Sequence, residues 1–148
     1  MKLILILLSL LLVNNTCSKT KIDQNAVSIE YTANSRGSFK HISITKKRIS
    51  LVNKRDVKPI SKECNQASWN KLMKIFKDLD IKNIPNLEAP SKKRFFDGAA
   101  IARLKITCNG TVYETPSFDH GNPHKDITNL VNEIMSIYKN NEWLLPIP

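Results

Sequence analysis

Asp119, His120 and His124 form the one local cluster of side chains that could hold a metal ion. Two imidazoles and a carboxylate can bind zinc and leave a fourth position for an attacking water, the chemistry of a small metal-dependent hydrolase. Their spacing points elsewhere. Gly121 and Pro123 interrupt any helix between the two histidines, so the i, i+4 face on which a His-Glu-x-x-His site depends is missing. The run from Asp119 to His124 reads instead as a loop leading into a helix, with Asn122 as N-cap and Pro123 at the first helical position. Nucleophilic chemistry fares no better, since the chain has no Gly-x-Ser-x-Gly elbow and no phosphate-cradling glycine loop. Each of its four glycines stands alone at an expected turn. The expectation is therefore a non-enzymatic protein without metal or cofactor.

The cysteines carry a different chemistry. Met1-Lys2 followed by the apolar run Leu3 to Val13 has the form of an export signal and is too short to span a bilayer as a helix. Cys17 follows it, ahead of a polar stretch, and resembles the lipidated cysteine of a bacterial lipoprotein signal, although Asn14 and Thr16 depart from the usual residues before that cysteine. Cleavage after Ser18 by the ordinary route is the alternative. The expected organisation is a signal peptide over 1–16, a flexible tether over 17–26 and one domain over 27–148. Export into an oxidising compartment leaves Cys64 and Cys108 as an even pair, able to form a disulfide or to stay as two buried thiols.

The charge of +10 becomes +9 once Lys2 leaves with the signal, with 22 basic residues against 13 acidic ones. Eighteen of the 23 basic residues are lysine, which reads as a solvated basic surface more than as a set of planar arginine forks for nucleic-acid phosphates. No specific nucleic-acid partner is expected. Attraction to an anionic envelope component needs no motif and remains open.

The elements that position these residues follow from periodicity. Asn109-Gly110 between two alternating runs marks a hairpin, with Ile106 beside Tyr113, Lys105 beside Glu114 and Leu104 beside Thr115. Earlier strands are expected from Val27 to Ala33, from Phe39 to Thr45 and from Arg48 to Asn53, the last two pairing Ile44 with Ile49 and Ile42 with Leu51. Lys54 to Lys62 has no periodicity and reads as a surface connection. One helix begins at Ser68 as N-cap and buries Trp69, Leu72, Met73, Phe76 and Leu79; a second buries Ile127, Leu130, Val131, Ile134, Ile137 and Tyr138. The result is an α+β domain, an antiparallel sheet of about five strands on two amphipathic helices in the order β-β-β-α-β-β-α.

Ile81 to Ala99 reads as a long connection, and structureless loops of this length tend to be binding loops, lids or disordered segments. Its centre, Lys92, Lys93, Arg94, Phe95 and Phe96, sets two aromatic rings beside three cations and is the candidate interaction loop. In extended chain the two rings would point to opposite sides, one into the core and one into water. The tail from Glu142 is expected to lie over a groove with Trp143 as its anchor.

This layout, with Arg36-Gly37-Ser38-Phe39 after the first strand and a long loop between helix and strand, resembles emfourin-type inhibitors of bacterial metalloproteases across about Ser28 to Tyr138. The leader is similar to those of small bacterial lipoproteins. The first reading is a lipid-anchored envelope protein facing the periplasm that binds a protein or anionic component through its loop. A secreted soluble form, a protease inhibitor and a metal-dependent hydrolase are the alternatives.

Overall fold

The structure, a computed structural model, describes residues 22–145. The signal segment and Cys17 lie outside the described residues. A mixed antiparallel sheet and helix architecture, α+β in class, is present, with seven strands where about five were expected. Strands β1 (Val27–Asn34), β2 (Phe39–Thr45), β3 (Arg48–Val52) and β4 (Ile60–Glu63) precede helix α1 (Gln66–Lys77), and β5 (Ile101–Cys108), β6 (Thr111–Glu114) and β7 (Phe118–Asp119) precede helix α2 (Lys125–Asn141). In space the order is β4-β3-β2-β1-β5-β6, with β7 also beside β5. β1 is therefore central, and the segment carrying α1 returns the chain from the β4 edge to the middle of the sheet.

The two unexpected strands lack the signals that reveal strands. β4 has one partly buried apolar residue, Ile60, followed by three exposed polar ones, because it is an edge with little to cover. β7 is two residues long and pairs only with the start of β5.

Alternation in β1 buries Val27, Ile29, Tyr31 and Ala33 against the helices. Ile42, Ile44, Ile49, Leu51, Ala102, Leu104 and Ile106 join them on the same face. The opposite face is polar, and Glu30 receives Lys105 at 2.9 Å and His41 at 3.5 Å across the strands. The expected registers hold: Ile44 faces Ile49, Ile42 faces Leu51, and Ile106 faces Tyr113. Asn109 and Gly110 both take positive φ, 49° and 81°, as the two-residue turn demands. Lys105 stands opposite Glu114 as expected, yet its ion pair is with Glu30, while Glu114 lies 3.8 Å from Arg103.

Helix α1 buries the expected Trp69, Leu72, Met73 and Phe76, while Leu79 lies past its last residue and is only partly buried; the cap is Asn65, whose side chain accepts from the Ser68 amide at 2.8 Å. Ser68 is thus the residue capped rather than the cap. In α2 the cap is His124, two residues after the expected Asn122. Asn122 is used elsewhere, donating to Ser91 Oγ at 2.7 Å. Lys71 and Glu133 join the helices at 2.5 Å. Residues 22–26, expected within the tether, are docked: Gln24–Ala26 form a 3₁₀ turn, and Gln24 Oε1 accepts from the Trp69 indole at 3.0 Å.

The possible Cys64–Cys108 disulfide is not formed, and both thiols are free. Cys64 follows the β4 edge and Cys108 ends β5, with β3, β2 and β1 between them. Four strand spacings amount to about 19 Å, well beyond the roughly 7 Å limit for bridged Cα atoms. Burial raises the pKa of both thiols, with Lys62 acting against it at Cys64. Among the described residues no helix is long and apolar enough to cross a membrane.

Candidate interaction surface

The long connection from α1 to β5 is organised rather than loose. A 3₁₀ segment over Ile81–Asn86 buries Ile84, and Leu87 follows it into the core, which anchors the first half. The second half is held by a single carboxylate. Asp119, on the short β7, is only 2% exposed and accepts hydrogen bonds from Ser91 Oγ (2.5 Å), the amides of Lys93 (2.8 Å) and Arg94 (3.0 Å), and Arg94 Nη1 (3.1 Å). Arg94 completes the clasp by donating from Nη1 to the Ser91 carbonyl at 2.6 Å and from Nε to Ser117 Oγ at 3.1 Å. Burial alone would raise the Asp119 pKa, but these donors outweigh it and hold the carboxyl well below the usual carboxylate range. A buried charge is tolerated in this way only when every lone pair is answered.

The clasp fixes a short 3₁₀ turn, Lys93–Phe96, closed by Asp97 in the left-handed region at φ 56°. Its geometry overturns the expectation of one buried ring and one exposed. Phe95 is 63% and Phe96 84% exposed. A tight turn does not alternate sides as extended chain does, and the inward position goes to Arg94, whose side chain is only 7% exposed. Arg94 is thus a structural pin and not an exposed contact, and its guanidinium lies 4.3 Å from the Phe95 ring centroid. Lys92 and Lys93 remain exposed beside the rings.

The loop sits at the end of the sheet where β1 stops and β2 and β5 start, since Asn34 is paired with both Phe39 and Ile101. The β1–β2 turn, Ser35 to Ser38, lies there, as does the β3–β4 loop with Lys54, Arg55 and the 40% exposed Val57. Trp143 borders the same turn across a groove of about 730 Å³. It does not anchor the tail. Its ring is 77% exposed with Nε1 donating to the Asn140 carbonyl at 3.2 Å, and Leu145 takes the buried place, because the 3₁₀ turn Glu142–Leu144 swings the indole outward. The described chain enters at the opposite end, where Val27 pairs with Cys108. An eight-residue strand separates the two ends by about 26 Å.

Asp119, His120 and His124 do not converge. Asp119 serves the loop clasp. His120 turns to the helix-covered face, where Nδ1 lies 2.7 Å from Tyr31 Oη. Burial, aided by Lys40, lowers the His120 pKa, and burial pushes the Tyr31 hydroxyl upward, so both favour their neutral forms in this contact. His124 Nδ1 accepts from the Asp126 amide at 3.3 Å as the cap of α2. Among the described residues no group of three or more His, Cys, Asp or Glu could hold a metal ion. The clasp escaped sequence reasoning because its members come from two separated segments, 91–94 and 117–122, that only the folded chain brings together.

No protein-family model matches the chain, and no curated protein sequence matches it.

Proposed function

We infer that this chain is a non-enzymatic, lipid-anchored protein of the cell envelope that binds another macromolecule through the aromatic and cationic end of its sheet. The observation that carries this reading is that Phe95 and Phe96 stand in water on a turn fixed from beneath by a buried carboxylate. Exposed phenylalanines on a mobile loop would lose ordering entropy on binding; on a clasped turn that cost has already been met in folding. Lys92, Lys93, Arg36 and Lys54 around them favour an acidic partner and speed its approach. Anchorage through Cys17 would hold the opposite end towards the membrane and present this end to the periplasm. A fixed turn with projecting apolar side chains also suits a protease inhibitor, in which it would fill a peptidase cleft.

Affinity capture from envelope extracts tests the reading, using the wild-type chain, the Phe95→Ala/Phe96→Ala variant and a Val112→Ala control altered on the open face. A partner retained by wild type and control but lost from the double variant is the expected result. Equal recovery by all three would contradict it. One-to-one capture of a peptidase whose activity falls on binding would select the inhibitor alternative.

A further inference from the structure

Three arginines far apart in sequence, Arg36, Arg55 and Arg94, line one cavity of about 590 Å³ beside the β1–β2 turn. The chain has five arginines against eighteen lysines, yet no lysine lines this cavity. A guanidinium differs from an ammonium in presenting a planar fork of N–H donors, which takes an oxyanion through two parallel bonds. The volume falls within the range of ligand pockets.

Two of the three forks keep donors to offer. Arg55 uses Nη2 on the Asn34 side-chain oxygen and, at 2.7 Å, on the Ser35 carbonyl, which holds its head in place; among the described residues its Nε and Nη1 have no acceptor. Among the described residues Arg36 meets only the Asp97 carboxylate, at 3.8 Å, with both side chains largely in water. Arg94 is already neutralised by Asp119 at 3.1 Å. Asp97 offsets one of the two remaining guanidinium charges, so the lining has one surplus positive charge. That matches a singly charged carboxylate better than a doubly charged phosphate ester. Ala99 and the 44% exposed Ile101 supply an apolar wall for the methylenes that carry such a group.

We propose that this cavity receives a glutamate or aspartate side chain of an acidic peptide segment, its carboxylate held between Arg36 and Arg55 after displacing Asp97 from Arg36. The proposal rests on the reading of this end as the binding surface and names the chemistry of the partner. Asp97 is then an internal competitor, and removing its charge strengthens binding.

Heteronuclear NMR titration of the full chain with terminally blocked peptides, Ala-Ala-Glu-Ala-Ala against its glutamine and phosphoserine counterparts at matched ionic strength, tests it. The glutamate peptide should shift the Arg36 and Arg55 Nε–H signals saturably, and the glutamine peptide should not. Asp97→Asn, which keeps a residue that tolerates the left-handed backbone, should tighten the glutamate peptide about threefold or more by removing a like charge next to the ligand. Arg36→Gln, at a residue almost wholly in water, should weaken it by a similar factor. Absence of saturable shifts, an Asp97→Asn affinity unchanged or weaker, or a phosphoserine peptide about tenfold tighter than glutamate would each overturn the proposal. The Phe95→Ala/Phe96→Ala variant separates it from the rim reading: peptide affinity should survive in that variant while partner capture is lost. Capture that ignores the two rings, with intact peptide binding, would sink the rim and leave the carboxylate cavity standing.

Discussion

Replacing Phe96 by alanine should leave the domain almost as stable as before, whereas the same change at Phe76 should nearly unfold it. Phe76 is 1% exposed in the core between sheet and α1, and truncating such a ring costs about 3–5 kcal/mol through lost burial and the cavity left behind. Phe96 keeps 84% of its surface in water, so only about a sixth of a burial worth roughly 3 kcal/mol, on the order of 0.5 kcal/mol, is at stake. Phe95, at 63% exposure, has about 1 kcal/mol of burial, to which its contact with the Arg94 guanidinium adds about 0.5–1 kcal/mol. Urea unfolding followed by far-ultraviolet circular dichroism resolves these differences. With a slope near 2 kcal/mol per molar, the midpoint should fall by about 2 M for Phe76→Ala, by less than about 1 M for Phe95→Ala and by about 0.3 M for Phe96→Ala. A Phe96→Ala midpoint as low as that of Phe76→Ala would refute the claim that this ring is free for a partner.

Asp119 has a folded-state pKa depressed below its unfolded value near 3.9, so its stabilising contribution is complete above that pH and is lost as the pH falls below it. The stability gap between wild type and Asp119→Asn should accordingly be widest at pH 6, smaller at pH 3 and still closing as the pH falls further; a gap independent of pH would contradict the clasp. His120, whose folded pKa is lowered by burial, resists protonation that the unfolded chain accepts near pH 6.5, so stability should decline as the pH falls through 6 and the decline should be smaller in His120→Gln, as parallel urea titrations would show. In a Cys17→Ser protein two thiols should react with Ellman's reagent after unfolding, and reductant should not move the unfolding midpoint; a midpoint lowered by reductant would mean that Cys64 and Cys108 are bonded. On the lipoprotein reading acyl chains on Cys17 would supply the anchoring, so wild type should fractionate with membranes in a bacterial host and Cys17→Ala should not; equal solubility of the two would end that reading.

What could be read from the sequence was whatever local periodicity encodes. The β5–β6 register followed from Asn109-Gly110 and the alternation on either side, and the buried stripes of both helices followed from spacing alone. Elements without periodicity were invisible: β4 because an edge strand needs only Ile60 on its inner face, and β7 because two residues cannot alternate. The loop was recognisable as a candidate from its residues, but the orientation of its rings was not. Phe95 and Phe96 point outward because Asp119, more than twenty residues away in the chain, turns Arg94 inward. Likewise Arg36 and Arg55 looked like scattered surface charge until the sheet brought their loops to the end that carries Arg94.

The most direct test of the central claim is photocrosslinking in living cells. Benzoylphenylalanine at position 96 on the rim is compared with the same group at position 112 on the open face, where Val112 is 55% exposed. A discrete adduct formed from position 96 and absent from position 112 is the predicted result. Adducts from position 112 alone, or the same adducts from both positions, would contradict the assignment of this end of the sheet as the binding surface.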